Sequence, residues 1–301
     1  MSSIAVVARQ ELRFAMRERL AAALLIVFLG MAIVSSAIGW ATHHTVNQIY
    51  NEALRQTGRA IQNPFASASP LENIKNTIVY IVLIGALLAI VLGARAAIRD
   101  RKSGVVDLIF SRPIKARSYV WAKLLGTQVW IGVVLVVALL GSWIGVWVVD
   151  GKPLGAGDTA SLVAFFAIAW LFLLPFTVLG LVSGARARHE SSALLIPILV
   201  WVAFVFVIPQ LGTAQNPSSL LNPVPSNAPT ADLLFKINHA ILQPISFTEH
   251  FKHAGASLLH LRDVTSTSIS GDLASLVGIA ALSLLGLMLV TRSAMRRPLD
   301  G

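Results

Sequence analysis

The sequence predicts an all-α integral membrane protein with six transmembrane helices. Of its 301 residues, 55% are hydrophobic and only 13% are charged, whereas about a quarter of the residues in soluble domains are charged. The chain contains six apolar stretches that are free of charge. Each is about 20 residues long, the length that a helix needs to cross a hydrocarbon core of about 30 Å. They show no alternation of period two, which favours helices over barrel strands. These stretches are residues 21–40, 76–94, 124–149, 159–185, 191–211 and 273–291.

The distribution of basic residues predicts the orientation. Seventeen of the 24 lysines and arginines lie in the two termini, in the second-to-third connection and in the fourth-to-fifth connection. Because positively charged short loops are retained in the cytoplasm, we expect both termini to be cytoplasmic. This asymmetry also explains the pI of about 10.7. Anionic lipid headgroups and an acidic protein partner therefore suffice as binding partners for the positive charge of the chain. No nucleic-acid partner is expected.

The segment before the first span has a basic face. Arg9, Arg13 and Arg17 recur every four residues, so they line one side of a helix. We expect this helix to lie along the inner membrane surface as an interfacial helix. The alternative is a simple positively charged flank of the first span.

Two long loops are predicted on the outer side, at residues 41–75 and 212–272. The second is rich in Asn-Pro turns at its start, and short helices are predicted at 231–241 and 248–261. Its apolar positions predict that 212–272 packs as an extracytoplasmic cap over the outer ends of the spans. With no internal repeat and no separate soluble domain, residues 1–301 are expected to form one transmembrane domain.

The six spans carry no Asp, Glu, Lys, Arg or His away from their ends. Ion-coupled transporters and proton pumps need such groups near the membrane midplane, so energy is expected to arrive from outside the bilayer. The sequence also has no phosphate-binding loop of the Gly-x-x-x-x-Gly-Lys-Ser/Thr type, so the chain is not expected to hydrolyse ATP. The lack of paired carboxylates or a Ser/His pair at membrane depth argues against an intramembrane enzyme.

The basic insert between the second and third spans is the strongest candidate for an interaction site. Ser103 is a suitable N-cap, and Pro113 prevents a helix from continuing past Arg112. Three apolar residues fall on one face at i, i+3 and i+4: Val105, Leu108 and Ile109. The pattern predicts a short helix over 104–112 whose apolar stripe docks into a groove on another protein, with the flanking cations fixing its register.

At these residues the chain resembles the permease subunits of ABC-2-type ATP-binding-cassette transporters. In that family the loop reads Gly-Thr-Leu, then Leu-Leu-Ser-x-Pro, then a basic stretch, and here residues 104–113 read GVVDLIFSRP, followed by Lys115, Arg117 and Lys123. Two further stretches agree, SGARARHESSA at 183–193 and LLNP at 220–223. Within the family the chain looks most like the NosY-like permeases of nitrous-oxide-reductase maturation and the gliding-machinery permeases.

The resemblance implies that 104–112 is a coupling helix that docks on a separate ABC ATPase subunit. The docking residues would be Gly104, Val105, Leu108, Ile109, Ser111, Arg112 and Pro113. It further implies two ATPase copies that bind ATP and Mg, no cofactor in this chain, and a second permease copy in a homodimer. Lipid and an extracytoplasmic protein are the other expected partners.

The expected function is therefore that of a multi-pass permease in a bacterial or archaeal cytoplasmic (inner) membrane, which couples ATP hydrolysis to export or to force transmission. The alternative is a non-transporting membrane anchor or assembly factor that recruits partners through the same basic insert.

Histidines in the second outer loop raise a metal hypothesis. His250 and His253 are three residues apart on one face of the helix predicted at 248–261. However, the chain has no cysteine, and none of its methionines falls in an outer loop, so the soft ligands of a Cu(I) path are missing. We expect no metal site and interpret these histidines as solvated or interfacial.

Small residues in the third span predict close helix packing. Gly141 and Gly145 form a Gly-x-x-x-Gly motif, which lets two helix backbones approach each other. The partner is either a neighbouring helix of the same chain or the second permease copy.

Overall fold

The computed structural model describes residues 19–57, 69–102, 104, 111, 116–212, 237, 240–261 and 269–287. All regular structure in these ranges is helical. The helices are α1 (Arg19–Thr57), α2 (Pro70–Lys102), α3 (Ala116–Asp150), α4 (Ala156–Arg186), α5 (Glu190–Val207, continued by Ile208–Gly212), α6 (Phe247–Leu258) and α7 (Ile269–Gly286).

Six of these helices are long and apolar enough to cross a membrane, namely α1 to α5 and α7. This confirms the all-helical class and the number of spans for the part of the chain that the structure describes. Several helices are longer than the apolar windows. α1 in particular continues past Trp40 to Thr57, because the polar residues that follow the window include no proline or glycine before Gly58.

The bundle is held together at its centre by close contact between α2 and α4. A Cβ atom at Gly180 would lie 2.1 Å from the carbonyl oxygen of Ile90, and one at Gly184 would lie 2.6 Å from that of Ala94. From the other side, a Cβ at Gly93 would lie 2.2 Å from the carbonyl oxygen of Thr177. Only residues without a side chain permit this approach. The two helices therefore pack backbone to backbone.

The Gly-x-x-x-Gly motif in α3 packs against α1 of the same chain. A Cβ atom at Gly145 would lie 2.5 Å from the Ser36 hydroxyl oxygen, and one at Gly141 would lie 3.2 Å from a methyl carbon of Leu29. Of the two partners expected for this motif, the structure places the neighbouring helix there.

The short helix α6 packs inside the bundle. Its Phe247 and Phe251 rings stack on Phe172, with centroids 4.8 and 4.3 Å away, and Phe172 lies near the midpoint of the 31-residue α4. Burying each aromatic side chain contributes about 1.5–3 kcal/mol. The helix predicted at 248–261 is thus observed as Phe247–Leu258, deep against α4. Most of 212–272 lies outside the described residues, and its role as an extracytoplasmic cap stays a prediction.

A π turn in α5 (Ala203–Val207) helps to hold α6. Pro209 stands five residues after Phe204 and has no N–H to donate to the Phe204 carbonyl in the π pattern. The Thr248 hydroxyl donates to that carbonyl oxygen at 3.1 Å. The first turn of α6 is therefore attached to α5 as well as to α4.

Candidate functional site

The basic insert leaves the bundle directly after α2. Gly104 has φ +68°, and its N–H donates to the Arg101 carbonyl oxygen at 3.3 Å. This left-handed conformation is the usual way to end a helix, and glycine adopts it without steric cost. Gly104 and Ser111 are exposed and lie in turns. We call this end of the bundle, which also holds the connection between α4 and α5, the coupling end.

The other predicted docking residues lie outside the described residues: Val105, Leu108, Ile109, Arg112 and Pro113. The same holds for Arg9, Arg13 and Arg17 of the N-terminal segment. The coupling helix and the interfacial helix therefore stay predictions. The structure does describe how both flanks of the insert are anchored.

Arg101 anchors the end of α2 to the connection between α4 and α5. Its side chain is buried, and Nη1 donates to the carbonyl oxygens of Gly184 and Ala187, each at 2.8 Å. These carbonyls belong to the last turn of α4 and to the residue after it, where intrahelical donors run out. A cation at a helix C-terminus also interacts favourably with the helix dipole. Each such charge-assisted hydrogen bond contributes about 1.5–3 kcal/mol.

Lys102 adds a second link to the same connection. Its Nζ lies 2.9 Å from Oε1 of Glu190, the first residue of α5. Both side chains are mostly exposed, at 70% and 51%, so water and salt screen the pair and its contribution is about 0–1 kcal/mol. The buried Arg101 is therefore the stronger of the two links.

Lys123 anchors the α3 flank. This fully buried lysine donates from Nζ to Asp100 Oδ2 at 2.9 Å and to the Ala96 carbonyl oxygen at 2.6 Å. The Tyr119 hydroxyl donates to the same Asp100 carboxylate, and its ring centroid lies 5.3 Å from the ammonium nitrogen. Removing one partner of such a buried pair costs about 3–5 kcal/mol, because the other charge is left uncompensated. α2 and α3 are thus fastened together.

We call these six residues the flank network: Asp100, Arg101, Lys102, Tyr119, Lys123 and Glu190. Its partners come from α2, α3, α4 and α5, so a force applied to the insert reaches four helices. From the sequence, the basic members were expected to set the topology and the register of docking, and their pairing inside the bundle was not predicted. The clue to this pairing was an acidic residue, Asp100, within a basic stretch.

Comparison with known families agrees with this geometry. The family model described as "ABC-2 family transporter protein" matches residues 5–294. The chain belongs to this family. ABC-2 proteins of this kind are the membrane-embedded permease subunits of ABC transporters, and ATPase activity is carried by separate subunits. No curated protein matches the chain significantly.

The permease has a second polar cluster, on α6. Glu249 and Lys252 are 6% and 3% exposed, and Lys252 Nζ donates to Glu249 Oε1 at 3.1 Å. His250 Nδ1 lies 2.7 Å from Oδ1 of Asp272 and so links α6 to the first turn of α7. The apolar windows themselves are free of charge, but the short helix α6 carries charged groups in among the spans.

His250 is not solvated, which was one of the two positions expected for these histidines, and the other, an interfacial position, stays a prediction. The side chain of His250 is only 13% exposed, and its Nδ1 is engaged by Asp272. Burial lowers the pKa of His253 below its usual value of 6.5, an effect that the nearby Asp272 and Glu249 carboxylates oppose and that His250 and Lys252 reinforce. Within the described ranges, no group of three or more His, Asp or Glu side chains is placed to hold a metal ion.

Proposed function

We propose that the permease receives the energy of ATP hydrolysis through residues 103–115 and that the flank network passes the resulting displacement to the spans. The observation that carries this proposal is the pair of hydrogen bonds from the buried Arg101 to Gly184 and Ala187. Through them, the helix that precedes the insert is bonded to the junction of two other spans. A docking subunit that moves the insert must move this junction or break those bonds.

The packing of the bundle supports a path from the coupling end into its interior. α2 and α4 touch backbone to backbone at Gly93, Gly180 and Gly184, so neither helix slides past the other without repacking. α4 in turn carries Phe172, on which α6 is stacked. Displacement of α2 is therefore passed through α4 to α6, and from His250 to α7.

The finer assignments belong to the same proposal. The docking surface consists of Gly104, Val105, Leu108, Ile109, Ser111, Arg112 and Pro113, and the insert forms the coupling helix. Two permease copies and two ATPase copies make up the transporter, which acts in export or in force transmission of the NosY-like kind. The outward face of α5 is available to a second copy, because Leu195, Ile196 and Leu199 are 54–60% exposed.

The test is purification of the permease from its native host, followed by identification of any subunit that carries a phosphate-binding loop. We expect such an ATPase to copurify with the wild type and to be lost from Leu108→Asp, because a carboxylate in the apolar stripe opposes burial. Pro153→Asp is the matched control, since Pro153 is exposed in the connection between α3 and α4 at the other end of the bundle. Retained association of Leu108→Asp would contradict the docking role. Copurification of a partner without ATPase activity would favour the anchor alternative.

A further inference from the structure

A groove of about 400 Å³ lies between α4, α5 and α7. Phe247 of α6 forms one end of it, and this ring is stacked on Phe172 at 4.8 Å and tilted against Phe176 at 6.0 Å between centroids. The groove extends from Pro175 to Val182 along α4, which is about 10 Å at 1.5 Å per residue. It therefore runs from the aromatic cluster toward the coupling end.

The groove wall is apolar. Its largest contributors are aliphatic side chains of α4 and α7, among them Val178, Leu179, Val182, Ile279 and Leu282. The one hydroxyl among the lining residues, that of Ser283, donates to the Ala280 carbonyl oxygen at 2.7 Å. Water needs two to four polar partners to occupy a cavity, and this wall does not supply them. An apolar ligand is the suitable occupant, and the volume is within the range of ligand sites.

A cation lies at the coupling end of the groove. Arg186 is exposed and is the last residue of α4. It follows the groove residue Val182 by four positions and so shares its helix face, with about 5–6 Å between Cβ atoms. The apolar wall is complementary to a hydrocarbon chain, and the cation at its end is complementary to an anionic head group. A molecule with both parts therefore fits this site.

We propose that this groove binds the chain of an anionic single-chain amphiphile, that Arg186 pairs with the head, and that such amphiphiles are the substrate class of the permease. The groove is bounded by three helices over about 10 Å of α4, a shape that suits one hydrocarbon chain lying along it. The three walls are membrane-spanning helices, so the chain enters from the hydrocarbon region. The substrate assignment rests on the proposed function, whereas binding does not.

The chain offers a matched pair of variants for the test. A Cβ atom at Gly286, which lines the groove, would meet only a Val178 methyl carbon, at 3.9 Å, so we expect the side chain of Gly286→Leu to occupy the groove. Gly278→Leu adds the same side chain on the same helix, where a Cβ has no atom within 4 Å. Ser283→Phe is a second filling variant. Thermal unfolding of each protein verifies that the fold is retained.

Binding is measured on the permease alone, in phosphatidylcholine nanodiscs, with a 16-carbon fatty acid that carries a diazirine near the end of its chain. After irradiation, we expect adducts within 175–182 and 279–286. Labelling there falls at least about fivefold in Gly286→Leu and stays within about twofold in Gly278→Leu, a contrast of about 1 kcal/mol. Labelling that is unchanged in both filling variants, or that is equal on the exposed α3 face at Val136 and Leu140, would overturn the site and indicate ordinary surrounding lipid.

The head group is tested with the diazirine analogue of hexadecanol. Arg186→Gln is expected to lower labelling by the acid about threefold, in the range of an exposed ion pair, and to leave labelling by the alcohol unchanged. An equal effect on both probes would remove the role of Arg186.

Finally, the fatty acid is expected to stimulate ATP hydrolysis by the purified complex. Intact groove labelling without stimulation would refute the substrate assignment, while the coupling proposal stands or falls separately on Leu108→Asp.

Discussion

Arg101 donates from Nη1 to the carbonyl oxygen of Ala187 at 2.8 Å, across 86 positions of the sequence. Together with its bond to Gly184, this contact makes the helix before the basic insert and the junction of α4 with α5 one mechanical unit. In the function proposed above, this unit is the link between the basic insert and the spans.

Arg101→Gln is expected to uncouple the transporter. The amide side chain is shorter and uncharged, so at least one of the two charge-assisted bonds is lost, at a cost of about 1.5–3 kcal/mol. We expect the ATPase subunit to remain bound and ATP hydrolysis to continue, while substrate movement per ATP falls about tenfold. The measurement is parallel assay of both rates in proteoliposomes. Arg95→Gln, at an exposed position on the same helix, is the control and should leave the ratio unchanged. An unaltered ratio in Arg101→Gln would refute the role of Arg101 in coupling.

Lys123→Met is expected to destabilise the permease by about 3 kcal/mol, the lower part of the range for a broken buried pair, because Tyr119 still donates to the carboxylate that is left behind. The double variant Asp100→Asn with Lys123→Met should recover part of this loss, since neither charge of the pair is then left without the other. Chemical unfolding in detergent measures both. Additive losses from the two substitutions would argue against a direct pair.

Gly180→Ala is expected to destabilise the bundle through overpacking, by about 1–3 kcal/mol or more. The new methyl group would lie 2.1 Å from the Ile90 carbonyl oxygen, so α4 has to move away from α2. Gly278→Ala should instead stabilise by about 0.5–1 kcal/mol, since alanine favours the helix more than glycine does and a Cβ there meets no atom within 4 Å. The melting temperatures of the two variants should therefore shift in opposite directions.

Acid is expected to weaken the packing of α6 through His253. Burial holds the pKa of this imidazole below 6.5 in the folded protein, so the unfolded chain takes up the proton first as the pH falls. The stability is complete above pH 6.5 and declines as the pH drops toward the folded-state pKa.

His253→Gln should reduce this decline between pH 7.5 and 5.5. Thermal unfolding at the two pH values gives the comparison. The charged and titratable neighbours are unchanged in the variant: Glu249, His250, Lys252 and Asp272. His44→Gln, at an exposed position on α1, is the control. An equal pH dependence in the wild type and in His253→Gln would contradict the effect of burial on this histidine.

Much of the fold was predictable from the sequence, because span formation depends on local properties. Each apolar window lies within or largely within one observed helix, and the windows erred mainly at their ends. The first window ended at Trp40, whereas α1 continues through polar and charged positions to Thr57. The helix at 248–261 was likewise expected from its own residues, and Phe247–Leu258 is observed.

The burial of charged groups was not predictable in the same way. Hydropathy describes the cost of placing each residue in lipid and contains nothing about the partner that offsets that cost. The sequence therefore placed Glu249, His250 and Lys252 on a helix of an outer cap and did not indicate that they are buried. Their burial depends on Phe247 and Phe251, which attach α6 to the middle of α4. The sequence motif pointed to close helix packing at Gly141 and Gly145, whereas α2 and α4 touch backbone to backbone at Gly180 and Gly184. Such contacts likewise depend on which helices are neighbours.

The sequence by itself determined the helical class, the six spans and the family, because a chain in lipid must satisfy its backbone hydrogen bonds within each segment, and this requirement acts on local stretches of sequence. Only the tertiary structure decided that Arg101 joins α2 to the end of α4, that Lys123 pairs with Asp100, and that α6 carries charge between the spans. These contacts join residues far apart in the chain, and their energies exist only once the helices have packed.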